Sequence, residues 1–180
     1  MPGLISLFSP YAKLGNIYRV EHHNKHGVSL PRLLRRSWIV DTPKSKRDKK
    51  IIFIVGECSL VQNIQEAIYN GYSVEIITGP KLRNVATKEK LKQLKIDYPD
   101  KLTLMVAEER PEKHFCIING NILYEDPHSD VDNYGCATAV ENAEKENISL
   151  VKKYFEEYKN KRRIKIIATP EEIGQLNTIE

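Results

Sequence analysis

The chain has 180 residues, 41% of them hydrophobic, enough for one well-packed domain and short for two. Its net charge of +4 and pI near 8.8 admit an anionic partner without requiring one. The three cysteines, Cys58, Cys116 and Cys136, have no short paired spacing, which argues against a disulfide framework or zinc ribbon. With no apolar run near the roughly 20 residues of a membrane span and no signal-peptide pattern, the expectation is a cytoplasmic protein without membrane association.

Residues 1–49 are rich in His, Arg, Lys, Pro and Ser and read as a basic N-terminal arm packed on a core of residues 50–180. Leu4 to Leu14 can form a short helix interrupted at Pro10, and Pro31 to Ile39 another, turning Leu33, Leu34 and Trp38 toward the core. Glu21-His-His-Asn-Lys-His26 matches no helix-borne zinc motif and reads as a polar loop. Eight Lys or Arg between positions 32 and 50, against Asp41 and Asp48, form the strongest charge asymmetry of the chain. Arg32, Arg35, Arg36, Lys44, Lys46 and Arg47 are therefore candidate nucleic-acid contacts, with Trp38 as a stacking surface. The plain alternative is a solvated basic loop.

From Lys50 the pattern becomes regular. Ile51-Ile-Phe-Ile-Val55, bounded by Gly56, reads as a buried parallel strand. Ser59 is a candidate N-cap for a helix carrying Val61, Ile64, Ala67 and Ile68 on one face and stopped at Gly71. A strand over Ser73–Thr78, a helix over about Thr87–Leu94 and a strand over Leu102–Val106 complete a β-α-β-α-β order. That order predicts an open, mostly parallel α/β sheet with flanking helices. Gly56-Glu57-Cys58-Ser59 lacks the spacing of a phosphate loop, and Cys58 at a helix start is a place where a thiol can be activated but reads chiefly as structural.

Next comes an added β-hairpin. Asn119-Gly120 is the dipeptide a tight primed turn prefers, and with it at the tip Ile118 pairs with Asn121, Cys116 with Leu123, and His114 with Glu125. His114, Cys116, Leu123 and Glu125 then share one face, where a carboxylate can set the imidazole tautomer. An ordinary surface pair at a sheet edge is the simpler reading, and a one-residue slip would break it. His114, Glu125 and His128 are metal-compatible donors, but such triplets are common on loops, so neither metal nor cofactor is assigned. A polar loop to Cys136, a long helix from about Ala137 to Lys159, a strand over Ile164–Ala168 and a short helix opened by Thr169-Pro-Glu-Glu close the chain.

Over residues 50–160 the chain resembles one half-domain of the phospholipase D superfamily. The resemblance rests on the first strand, on Glu66-Ala-Ile-Tyr-Asn-Gly71 before Tyr72-Ser-Val-Glu-Ile-Ile77, and on the His114 strand with Asn119-Gly120. It implies a histidine that attacks phosphorus and a lysine two residues on that neutralises the phosphoryl oxygens. His114 stands at the histidine position, Cys116 where the lysine belongs, and Asn119 or Asn121 where the family has aspartate. The motif is degenerate, since a thiol supplies no fixed positive charge. The resemblance implies a domain that cleaves or binds nucleic-acid phosphodiesters, with Glu125 orienting His114, His128 as acid, and Arg110 or Lys113 replacing the lysine. It also implies a symmetric homodimer that brings two histidines to one phosphate. The alternatives are a non-catalytic nucleic-acid or protein binding module, and a nucleotide-sensing α/β domain with its site near Gly56, Ser59 and Gly79.

Overall fold

The computed structural model describes residues 16–21, 38–125, 136–161 and 163–179. In chain order its elements are β1 (Asn16–Glu21), β2 (Lys50–Ile54), α1 (Val61–Tyr69), β3 (Ser73–Thr78), β4 (Lys81–Leu82), α2 (Val85–Asp97) and β5 (Leu102–Ala107). These are followed by β6 (His114–Ile118), β7 (Asn121–Glu125), β8 (Cys136–Glu141), α3 (Lys145–Lys161), β9 (Ile164–Ile167), α4 (Pro170–Gly174) and β10 (Asn177–Thr178). Eight strands form one open sheet in the order β1-β8-β7-β6-β2-β3-β5-β9, and β10 pairs with β4 beside it.

The expected α/β sheet is present. Its parallel part is β2-β3-β5, and antiparallel strands extend it on both sides. The apolar run of β2 is buried on both faces because helices cover both. Ile51 and Phe53 face a core shared with Ile64 of α1 and Leu91 of α2, while Ile52 and Ile54 face Val151 and Phe155 of α3. Gly71 ends α1 at a φ of +91°, a left-handed conformation that favours glycine. At Thr169 the expected helix start is a full capping box: its hydroxyl accepts from Glu172 N–H, and the Glu172 carboxylate accepts from Thr169 N–H.

Three sequence expectations are corrected. The helix drawn from Ala137 begins at Lys145, because Cys136–Glu141 is strand β8, paired with β7 and β1. The Ala-Thr-Ala-Val stretch suits either state locally, and two neighbouring strands decide for extension. In the stretch assigned to a basic arm, Asn16–Glu21 pairs with β8 as an edge strand of the same sheet. The N-cap of α1 is Leu60 rather than Ser59, and no side chain caps it. The proposed helix at Leu4–Leu14 lies outside the described residues, as does most of that at Pro31–Ile39. Its last part is described, and there Trp38 is buried among Ile39 and the first core as expected. No helix among the described residues is long and apolar enough to cross a membrane.

Candidate functional site

The hairpin forms in the predicted register, with His114 opposite Glu125, Cys116 opposite Leu123 and Ile118 opposite Asn121. Asn119 and Gly120 both have positive φ, at 50° and 78°, as a primed two-residue turn requires. A second cause locks this register. The Asn119 side chain donates to the Trp38 carbonyl at 2.5 Å and the Tyr72 hydroxyl at 2.7 Å, and its Oδ1 accepts from Asp48 N–H at 2.9 Å. Asn119 is thus a structural tie between hairpin, β3 and the loop before β2.

His114 lies at the other end of β6, beside the carboxyl end of β2, where ligands of open α/β sheets tend to bind. It is only 4% exposed, and its Nε2 lies 3.1 Å from the Pro111 carbonyl. A carbonyl oxygen only accepts, so this hydrogen bond makes Nε2 the donor nitrogen. The ring rests directly on Gly56. A Cβ placed there would lie 2.9 Å from His114 Cε1 and 2.7 Å from Arg110 Nε. Imidazole and guanidinium therefore share the space above this one glycine.

Arg110 also pairs with Glu57 at 2.9 Å. Gly79, at the end of β3, approaches equally closely: its N–H donates to the Gly56 carbonyl at 2.8 Å, and a Cβ on it would meet that oxygen at 2.7 Å. The buried Thr78 hydroxyl donates to the same carbonyl at 3.2 Å. Two glycines thus draw the ends of β2 and β3 together beneath Arg110 and His114. Position 79 offers a weak sequence signal for this packing, because Gly-Pro after a strand also reads as a plain turn.

The position that the resemblance gives to lysine is occupied by Cys116, 2% exposed and packed in the first core with Phe53 and Leu123. It places no cation near His114. Lys113 lies on the other face, 5.1 Å from the Tyr154 ring centroid, so Arg110 is the cation brought to the histidine. Of the two readings of Cys58 the structural one holds: complete burial pushes its thiol up to about 12, away from the reactive thiolate. Its φ of 56° is instead a strained turn in the loop after β2.

Of the basic candidates, Lys44 and Lys46 are exposed in a 3-10 turn. Arg47 is occupied within the fold, donating to the Thr42 and Val40 carbonyls at 2.9 and 2.8 Å and lying over the Tyr72 ring. His128, Arg32, Arg35 and Arg36 lie outside the described residues, and the Glu125 side chain is likewise not described. Lys44 and Lys46 precede β2, whereas His114 adjoins its far end, so the two groups lie toward opposite ends of that strand. Among the described residues, no three His, Cys, Asp or Glu side chains converge as a metal site.

Gly56→Ala is expected to cost about 1–3 kcal/mol, since its Cβ overpacks the buried His114 ring. It should push Arg110 and His114 away from position 56. NMR of the His114 ring checks this, and an unchanged ring signal would contradict the close approach.

No family model matches the chain, and no curated protein sequence does. Among solved structures, the phospholipase D family member Nuc from Salmonella typhimurium aligns with a TM-score of 0.57 at 14% identity, over 83% of this chain and 97% of that one. TrmBL2, an archaeal chromatin protein whose structure shows a novel mode of DNA binding, aligns at 0.52 with 18% identity over 84% of this chain. The alignment covers 54% of TrmBL2, so this chain spans about half its length. Polyphosphate kinase from Porphyromonas gingivalis aligns at 0.53 with 11% identity, over 81% of this chain and 26% of that one. Through its open α/β sheet and flanking helices, this chain is similar in fold to the phospholipase D family member.

Proposed function

We infer that this domain binds nucleic-acid backbone through a degenerate phospholipase D-like site, with Arg110 meeting a phosphate beside the buried His114. The observation that carries this reading is the meeting of guanidinium and imidazole above Gly56, while Cys116 is sealed in the apolar core. Arg110 matches a phosphodiester better than a point charge does, because its fork can donate two hydrogen bonds. Phosphate would share this guanidinium with Glu57. Lys44 and Lys46, before the opposite end of β2, would meet the same nucleic acid further along its backbone. The DNA-binding neighbour supports this reading.

Cleavage is the second reading, favoured by the histidine itself. In that case the His114 Nδ1 would form an N–P bond as the P–O bond breaks, His128 would protonate the leaving alkoxide, and water would then hydrolyse the phosphohistidine. The Pro111 carbonyl would orient the ring through Nε2–H, and a homodimer would supply the second histidine.

The test is binding of the whole chain to short single-stranded and duplex DNA and RNA over a salt series, with cleavage followed in parallel. Lys44→Gln with Lys46→Gln should reduce the salt slope by about 2 for a duplex and weaken binding uniformly across sequences. Arg110→Gln should weaken binding by about tenfold, the loss of one charge-assisted contact. A salt-independent affinity, or none, would overturn the binding reading. Phosphodiester cleavage abolished by His114→Ala would establish the second reading in its place.

A further inference from the structure

The end of the sheet where β2, β3 and β5 begin carries two exposed aromatic rings. Tyr69, the last residue of α1, is 57% exposed, and Tyr98, which ends α2, is 36% exposed. Their ring centroids lie 5.8 Å apart at an interplanar angle of 54°, so the two form one patch. The Gln65 side chain donates to the Tyr69 hydroxyl at 2.6 Å and holds that ring from within its own helix. Cations border the patch. Ser73 N–H donates to the Lys49 carbonyl and Val74 N–H to the Lys101 carbonyl, which sets the exposed Lys49 and Lys101 on either side of the start of β3. Lys101 N–H donates in turn to the Tyr98 carbonyl at 3.0 Å. Arg47 reaches the Asn70 carbonyl at 3.5 Å, so the segment with Lys44 and Lys46 runs beside the end of α1. Exposed Asp48 and Asp100 adjoin these lysines and offset part of their charge, so charge alone selects a ligand weakly here.

We propose that Tyr69 and Tyr98 form a stacking platform for unpaired bases of single-stranded nucleic acid, with Lys49 and Lys101 meeting its phosphates. The inference rests on the nucleic-acid reading and deepens it, naming the strand state bound near Lys44 and Lys46. Rings left in water gain from any flat apolar partner, and a base offers one with a phosphate attached for the flanking lysines. Bases within a duplex are already stacked and paired, whereas a single strand presents their faces. Such stacking tolerates any sequence, because every base has a π-face. An apolar protein surface fits less well, since it would strip water from lysines without supplying them with anions.

The experiment is fluorescence-anisotropy titration of the full chain against labelled oligothymidylate, an abasic strand of the same length, and the corresponding duplex, over a salt series. The base-bearing single strand is expected to bind most tightly. Tyr69→Leu and Tyr98→Leu should each weaken its binding by about tenfold without changing the salt slope, while Tyr69→Phe and Tyr98→Phe retain wild-type affinity. Lys49→Gln with Lys101→Gln should lower the single-strand slope by about 1.4. Unfolding curves of the variants separate lost binding from lost folding. Equal affinity for base-bearing and abasic strands, or leucine variants that bind like wild type, would overturn the platform and leave the backbone reading standing. Loss of binding in the leucine variants with no effect of Arg110→Gln would support the platform and sink the Arg110 site. Duplex binding as tight as that of the single strand would overturn the strand assignment, and no binding to any of the three would overturn both readings. A homodimer that the leucine variants abolish in sedimentation would give the patch to a second copy and overturn the platform.

Discussion

Trp38→Ala is expected to destabilise the domain by about 3–5 kcal/mol, the range for removing a large buried aromatic. Trp38 is 2% exposed and belongs to the same core as Phe53, Cys116 and Leu123. Its indole N–H donates to Glu141 at 2.9 Å at the end of β8, and its carbonyl receives the Asn119 side chain. One residue therefore joins the segment before β2 to the sheet at two places. Trp38→Phe should cost less, about 1.5–3 kcal/mol, mostly the hydrogen bond to a carboxylate. Chemical denaturation of the two variants measures both. A loss below about 1 kcal/mol for Trp38→Ala would show that the N-terminal segment is held by something else.

The second large effect concerns Glu75. This carboxylate is 6% exposed in the middle of β3 and paired with Lys50 of β2 and, at 3.0 Å, with Lys159 of α3. Burial opposes its ionisation, but the two lysines together outweigh burial and hold the carboxyl below its usual value. Lys159 is in turn raised, chiefly by its hydrogen bond to Glu75. Because the folded carboxyl ionises more readily than the unfolded one, its stabilisation is present above the ordinary carboxylate value. It is lost as pH falls through the lowered folded value. The lysine contribution is present below the ordinary lysine value and fades as pH rises through the raised one.

Lys50→Met with Lys159→Met strands the buried charge. At neutral pH it should cost about 3 kcal/mol, the low end for such a break because the lysines reach solvent. The gap from wild type should narrow as pH falls below the ordinary carboxylate range, because Glu75 is protonated in the variant first and only at lower pH in wild type. A gap independent of pH would sink this account of how α3 is clamped to the sheet.

Most of this fold was legible because its signals are local and redundant. The apolar run Ile51 to Val55, the Gly71 stop, the Asn119-Gly120 turn and the Thr169 capping box each agree with their neighbours in the structure. The same holds for the His114–Glu125 register, since a two-residue turn fixes every pair above it. Residues 137–141 were misread because apolar and small residues suit a helix as well as a strand. Their state depends on β7 and β1, the latter some 120 positions away in the chain.

For the candidate site, the sequence by itself determined which groups were present: a histidine on a hairpin strand, no lysine at position 116, and a basic run before β2. Tertiary structure alone decided their company. It seated Arg110 and His114 on Gly56, turned Lys113 to Tyr154, bound Arg47 to backbone carbonyls, and set the exposed Lys44 and Lys46 at the far end of the sheet from His114. The physical reason is that side-chain alternation and turn type are read over a few residues, whereas which strand ends meet depends on packing across the whole sheet.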